Sequence, residues 1–505
     1  MVGVGVYFSK KNNNAAQFTT ASGKIPGWAI GISIFATFLS SNTFLGVPGK
    51  AFGSNWNAFV FSLSMPLAAW VASKYFVPFY RRSGEVSAYT HLEKRFGPWA
   101  RTYAVTCFLL TQIARMGSIF FGIALTLQAL TGFSMASIML VMGVCIIIYT
   151  VLGGMEAIIW TEVAQAIILT CGALLVLFFV LFDMPGGVNA IIDIGKEQNK
   201  FSLGSFSFSF TQSTFWLVLL YGFFINLNNF GMDQNYIQRY HTAANPKGAA
   251  KSVWLCVYLY LPVSLLFFII GAALFAWYSV HPGLADPVKL QAAAERLGDG
   301  ATPQQIAATA AQLQPAGYGD KILPHFMVTK IPAGLVGLVI AAILSAAMST
   351  ISSGMNASAT VFTIDIYKRY FKKELDGKKY LRTLYITTTL FGATGLVAGL
   401  GMIGSKSILD VWWELSGIFA GGMLGLFLLG LISRQTRNTE ALTATIIGVI
   451  VILWMTFSDR LGPEYDYLKS ALHKNMIIVI GTLSIFLAGV LLTRMRRMKT
   501  VPVKD

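Results

Sequence analysis

The sequence predicts an all-α polytopic membrane protein built on an inverted repeat. Three observations predict it. Apolar runs of 18 or more residues follow one another along most of the chain, each long enough to cross a bilayer as a helix. Only 12% of the 505 residues are charged and 55% are hydrophobic, where a soluble domain carries about 25% charged residues. Two of the runs, five spans apart, are interrupted by polar residues and glycine. An odd separation gives these two spans opposite orientations, which is the trace of an inverted repeat with its site at the two breaks.

The net charge of +16 does not indicate nucleic acid. The greater share of Lys and Arg falls in alternate loops, the positive-inside pattern of a membrane protein. Cys107, Cys145, Cys171 and Cys256 lie in expected spans and imply no disulfide framework. There is no Walker sequence, so ATP is not the expected energy source, and the five His show no metal-ligand spacing.

Residues 1–8 (MVGVGVYF) are apolar but too short to span, and read as the remnant of a preceding transmembrane helix. After the basic stretch SKKNNN, span 1 runs from about Ile25 to Phe52. Its centre gathers Ser40, Ser41, Asn42, Thr43, Gly46, Pro48 and Gly49. A helix broken there exposes backbone carbonyls at mid-depth, tolerated only where they line a site. Span 2 covers about Asn57–Tyr80, span 3 Thr102–Leu130, span 4 Ser134–Leu152 and span 5 Glu156–Phe182. Span 6, about Ser213–Arg239, is interrupted by NLNNFGMDQN. Span 7 is Ser252–Tyr278, and an outside loop, His281–Lys330, follows. Span 8 begins near Ile331 and ends in the basic run YKRYFKKELDGKK. Spans 9 to 12 fall near Tyr380–Leu400, Ile408–Ile432, Leu442–Phe457 and Met476–Leu492, before the basic end RMRRMK.

Span 8 holds the densest cluster of hydroxyls. Ala346, Ser349, Thr350 and Ser353 recur at i, i+3, i+4 and i+7, so they share one helical face, with Ser352 beside Ser349. Neutral hydroxyl and carbonyl oxygens suit a small hard cation. The same small residues would also let helices pack closely, each hydroxyl bonded back to its own helix.

Charges inside the spans are few. Arg115 lies roughly 13 residues into span 3, close to mid-depth at 1.5 Å per residue. It is the one basic residue expected there, and no acid stands at i±3 or i±4. A guanidinium in that position needs a partner: a structural ion pair, or a ligand carboxylate that its fork matches. Glu162 sits about one turn into span 5 and reads as interfacial. Asp233 in the span 6 break is either a ligand or an internal cap. Asp410 and Glu414, which flank Trp412 and Trp413, read as interfacial.

The pieces GKIPGWAIGISIFATFLSSNTFLG, YTVLGGMEAIIWTEVAQ, DQNYIQRY and IPAGLVGLVIAAILSAAMSTISSGMNASAT resemble the sodium/solute symporter family, which includes bacterial sodium/galactose and sodium/sialic-acid transporters. The resemblance runs over nearly the whole chain. It implies a five-plus-five inverted-repeat symporter core over 24–433, with repeat one at about 24–183, repeat two at about 211–433, and two further transmembrane helices with a basic cytoplasmic tail over 434–505. It also implies a first sodium position at Ala36, Leu39, Ala346, Ser349 and Thr350, which shares its span 8 residues with the face derived above. A second sodium position falls on Glu162, Ser349, Ser352 and Ser353, where Glu162 replaces a shorter Asp. Substrate contacts fall on Ser40, Asn42, Thr43, Ser62 and Arg115. Arg115 matches the sialic-acid members, whereas the sugar transporters carry Asn there. Phe38 and Ser62 depart from the Thr and Gln of the sialic-acid pattern.

The implied function is sodium-coupled import of a carboxylate-bearing solute, with sialic acid as first choice. A sugar or another organic acid is the alternative substrate. A receptor on the same fold is the alternative class, and a channel lacks the charge rings or carbonyl-filter repeat it would need. The expected cofactors are one or two sodium ions and no nucleotide. The expected setting is a bacterial inner membrane, with the chain as a monomer, no enzymatic activity and no nucleic-acid partner.

Overall fold

The computed structural model describes residues 2–9, 14–298, 300–371, 377–403, 408–458 and 461–500, without the side chains at 2, 41–42, 129–130, 408–416 and 499–500. Among these residues the fold is helical, the one β-bridge being an isolated pair between Ile25 and Ala243. Among the described residues nine helices are long and apolar enough to cross a membrane, and the bent pair of span 1, taken as one span, makes a tenth crossing. The twelve expected spans are reached when Met135–Phe182 is divided at Gly154 and Ile408–Ile432 is included. Gly154 has φ 58° and ψ −164°, outside the helical region, so spans 4 and 5 leave a common axis there.

Both expected breaks are present. Span 1 is Gly27–Phe38 followed by Ser41–Gly53, bent by 53°. The first half ends because Leu39 (ψ 91°) and Ser40 (ψ 173°) are extended. Span 6 is Phe215–Met232 followed by Gln234–Thr242, parted by Asp233 at ψ 117°. Asp233 is an internal cap: its carboxylate accepts from the Asn235 backbone N–H at 2.8 Å. The other ends are set by ordinary chemistry. Thr214 caps span 6, and Asn245 with Pro246 opens span 7, Pro246–Val280.

Packing brings the broken helices against long straight ones. Span 7 lies along both halves of span 1, and Gly271 allows it: a side chain there would meet the Pro48 carbonyl at 2.4 Å. Span 8, Ala333–Val361 continuing in π-form through Phe362–Phe371, packs on span 5, where Gly172 faces Ala342 at a similarly close approach. Span 2, Trp56–Ser83, carries one π-helical turn at Ala72–Phe76.

Orientation is testable on this framework. Cysteines are placed singly at Gln304, on the exposed helix Pro303–Gln312, and at Gly377, beside Lys378 and Lys379, after the four native Cys are replaced. An impermeant thiol reagent on intact cells should label the first and spare the second. The reverse pattern would turn the protein over in the membrane.

Candidate functional site

The break in span 1 leaves its first half ending in the middle of the protein. The last carbonyls of such a half-helix lack intrahelical partners, and they carry the negative end of its dipole. Span 8 meets this end. The Ser349 hydroxyl donates to the Ala36 carbonyl at 3.3 Å and to the Ala346 carbonyl at 2.9 Å. Thr350 also donates to Ala346, at 3.3 Å. Ala36, Leu39, Ala346, Ser349 and Thr350 are all buried. The hydroxyls of one face of span 8 thus converge with main-chain oxygens at the negative end of a half-helix. A small monovalent cation fits this neutral oxygen set, because the dipole supplies attraction while no acidic side chain holds the ion permanently.

On the other side of the same break lies a pocket. Ser40, Thr43, Ser62 and Arg115 all line it, whereas the Asn42 side chain lies outside the described residues. Phe38 forms one wall, 4.7 Å from Tyr236 and 5.7 Å from Tyr260 between ring centroids. The Ser62 hydroxyl is bonded to that of Ser264 at 2.7 Å. Phe38, expected in the wall as a departure from the sialic-acid pattern, lines the pocket; Tyr236, Tyr260 and Ser264 line it too, and sequence reasoning did not assign these three. Tyr260 and Ser264 lie in the apolar run of span 7, and Tyr236 follows the polar break of span 6, so no local pattern marks them as pocket residues.

Arg115 reaches the pocket from span 3. Its Nη2 donates to the Thr37 carbonyl at 2.7 Å, and its Nη1 stands 3.7 Å from the Asp233 carboxylate. Its counter-charge therefore comes from the span 6 break. That contact is longer than the ~2.7–2.9 Å of an Arg–carboxylate hydrogen bond. Asp233 meanwhile accepts two closer bonds from Asn235, at 2.8 and 2.7 Å. Asn235 thus holds Asp233 Oδ1 while Oδ2 balances Arg115 from 3.7 Å, and a carboxylate brought to hydrogen-bond distance would bind the guanidinium more tightly than Asp233 does.

Glu162 corrects the reading of an interfacial carboxylate. It is fully buried, because spans 1, 6 and 8 close over it. Arg239 Nη2 lies 2.7 and 2.8 Å from its two oxygens. Ser33 and Ser353 donate to the same carboxylate. Arg239 also donates to Ser33 Oγ and Ser353 Oγ at 2.7 Å each and to the Asn235 carbonyl at 2.5 Å. Arg115 is therefore not alone as a deep basic residue. Of the second expected cation set, Glu162 and Ser353 meet, with Arg239 between them. Ser352 donates to the Ser349 carbonyl at 3.1 Å, and Ser349 turns to the first set. The Asp410 and Glu414 side chains lie outside the described residues.

A profile of the sodium:solute symporter family matches residues 18–448. The chain belongs to the sodium:solute symporter family. Within the family it is 32% identical to the sodium/sialic acid symporter NanT of Aliivibrio fischeri, over 97% of this chain and 90% of that one. It is 31% identical to the sodium/sialic acid symporter SiaT of Proteus mirabilis, over 97% and 91%. A solved structure of a Na+-coupled sialic acid symporter, substrate-bound and outward-open, superposes with a TM-score of 0.83 at 30% identity, covering 98% of this chain and 95% of that one. The symporter core anticipated from the two breaks is thus the family's own architecture.

Proposed function

We propose that this symporter imports sialic acid into a bacterium across the inner membrane, driven by sodium, and works as a monomer. The observation that carries the reading is the position of Arg115, which lines a pocket placed directly against the oxygen set of spans 1 and 8. In this reading Arg115 receives the substrate carboxylate, and Ser40, Thr43 and Ser62 face the rest of the molecule. Sodium at Ala36, Leu39, Ala346, Ser349 and Thr350 fixes the end of the first half-helix, whose next residues form the pocket wall. Sodium and substrate then raise each other's affinity by the same factor.

A second ion would share Glu162 with Arg239, so the position at Glu162, Ser349, Ser352 and Ser353 is proposed as the weaker one, filling at higher sodium. Phe38, packed tilted against Tyr236 and edge-on against Tyr260, favours a second substrate reading as well: a carboxylate with a less hydroxylated body. Uptake of labelled N-acetylneuraminate into proteoliposomes, with a sodium or a potassium gradient and with galactose or an aliphatic monocarboxylate as competitor, separates these readings. Equal uptake in both gradients would reject sodium coupling.

The sodium set carries its own prediction. Ser349→Ala or Thr350→Ala should raise the sodium concentration for half-maximal uptake on the order of tenfold, comparable to removing one neutral polar partner from a charge. Ser352→Ala should affect only a weaker sodium phase. Sodium dependence unchanged in both first-set variants would reject the assignment.

A further inference from the structure

We infer that a groove on the outside of the bundle, at the basic ends of spans 2, 7 and 10, is a binding site for an anionic phospholipid of the cytoplasmic leaflet. The first observation is the π-turn of span 2. Its extra residue brings positions i and i+5 onto one line. Trp70 and Tyr75 accordingly meet edge to face at 6.3 Å, and the Lys74 ammonium lies 5.0 Å from the first ring and 5.5 Å from the second. All three side chains are exposed on the flank of a membrane-spanning helix, Trp70 at 52% and Tyr75 at 49%.

The second observation is what surrounds Lys74. On one side span 7 contributes Lys251, Trp254 and the exposed Tyr258, and Trp254 donates to Ser73 at 3.2 Å, which fixes this wall. On the other side lie Arg82 at the end of span 2 and Arg434 just past span 10, with Leu428 and Leu431 between them and Lys74. Among the described residues, none of Lys74, Lys251, Arg82 and Arg434 forms an ion pair with an acidic side chain. Neighbouring cations are treated differently: Arg81 donates to the Tyr240 carbonyl, and Lys94 pairs with Glu85.

Lys74 lies about 13 Å above Ser83 along the helix, at 1.5 Å per residue. A cation at that depth requires an anion or a path to the interface. Basic clefts between spans on the cytoplasmic side, rimmed by Trp and Tyr, suit phospholipid headgroups. The apolar strip of Leu428 and Leu431 beside the cations suits an acyl chain and gives a free phosphate ion nothing to cover. One phosphodiester between Lys74, Arg82 and Arg434 would meet all three charges and bridge span 2 to span 10.

The test is native mass spectrometry of the purified full chain titrated with dioleoyl-phosphatidylglycerol, dioleoyl-phosphatidylcholine or inorganic phosphate. The expected result is a retained phosphatidylglycerol adduct, weak phosphatidylcholine binding and no competition by phosphate. Lys74→Gln with Arg82→Gln and Arg434→Gln should weaken the adduct about fivefold per charge, or roughly a hundredfold together. Equal retention of the two lipids by the native protein, or competition by phosphate, would overturn the site without recourse to any variant. Undiminished phosphatidylglycerol binding in the triple variant would overturn it equally.

Discussion

Arg115→Ala is expected to abolish substrate binding while leaving a folded protein. The pair between Arg115 and a substrate carboxylate would form in a site where Arg115 is 11% exposed and Asp233 8%. Losing a charged, hydrogen-bonded partner there costs roughly 2–5 kcal/mol, or about thirty- to several-thousand-fold in affinity. Arg115→Lys should lose most of this, because a point charge cannot reproduce the bidentate fork. Asp233 complicates the single variant, since removing Arg115 leaves a buried carboxylate with Asn235 as its main donor. Arg115→Ala with Asp233→Asn removes that charge. If Arg115 serves only to balance Asp233, the double variant should fold and bind normally. If Arg115 holds substrate, the double variant should fold and still fail to bind. Calorimetry of both variants against sialic acid, its methyl ester and galactose decides between them. Native-like affinity for the acid in the double variant, or a native preference for the neutral sugar, would exclude the clamp.

The parts of this site that were legible in the sequence are those with a local signature. The breaks in spans 1 and 6 announced themselves because Ser, Asn and Gly cannot sit at mid-depth in an unbroken lipid-facing helix without a reason. The shared hydroxyl face of span 8 followed from helical spacing, its role toward a cation, left open beside close helix packing, was implied by the family resemblance, and Ser349 does meet Ala36 across the break. What stayed hidden depends on contacts distant in sequence. Asp233 could be placed in the break but not opposite Arg115, more than a hundred residues away. Arg239 looked like the basic end of span 6. Its depth became evident only once the second half of that span, Gln234–Thr242, was seen buried along almost its whole length. Glu162 was misread for the same reason, since counting residues from the end of span 5 cannot reveal that three other spans cover it.

The Glu162–Arg239 pair should dominate the stability of the inner half of the core. Both side chains are at most 1% exposed, so removing one partner leaves a charge without its compensation in a medium that solvates it poorly. Arg239→Met should therefore lower stability by about 3–5 kcal/mol. Glu162→Leu should do the same, since the guanidinium would retain only the Ser33 and Ser353 hydroxyls and the Asn235 carbonyl. The combined variant is the informative one. Replacing both charges by apolar groups removes the desolvation penalty along with the attraction, and such exchanges are often neutral or stabilising. Thermal unfolding of the purified protein should thus show two strongly destabilised single variants and a double variant that recovers most of the loss. Additive single losses would mean that the two residues do not act as a pair. The double variant also isolates the weaker cation position: with Glu162 gone and the core intact, the high-affinity sodium phase set by Ser349 and Thr350 should persist and the weaker phase should vanish. A weaker phase that survives would remove Glu162 from sodium binding and leave it a purely structural partner of Arg239.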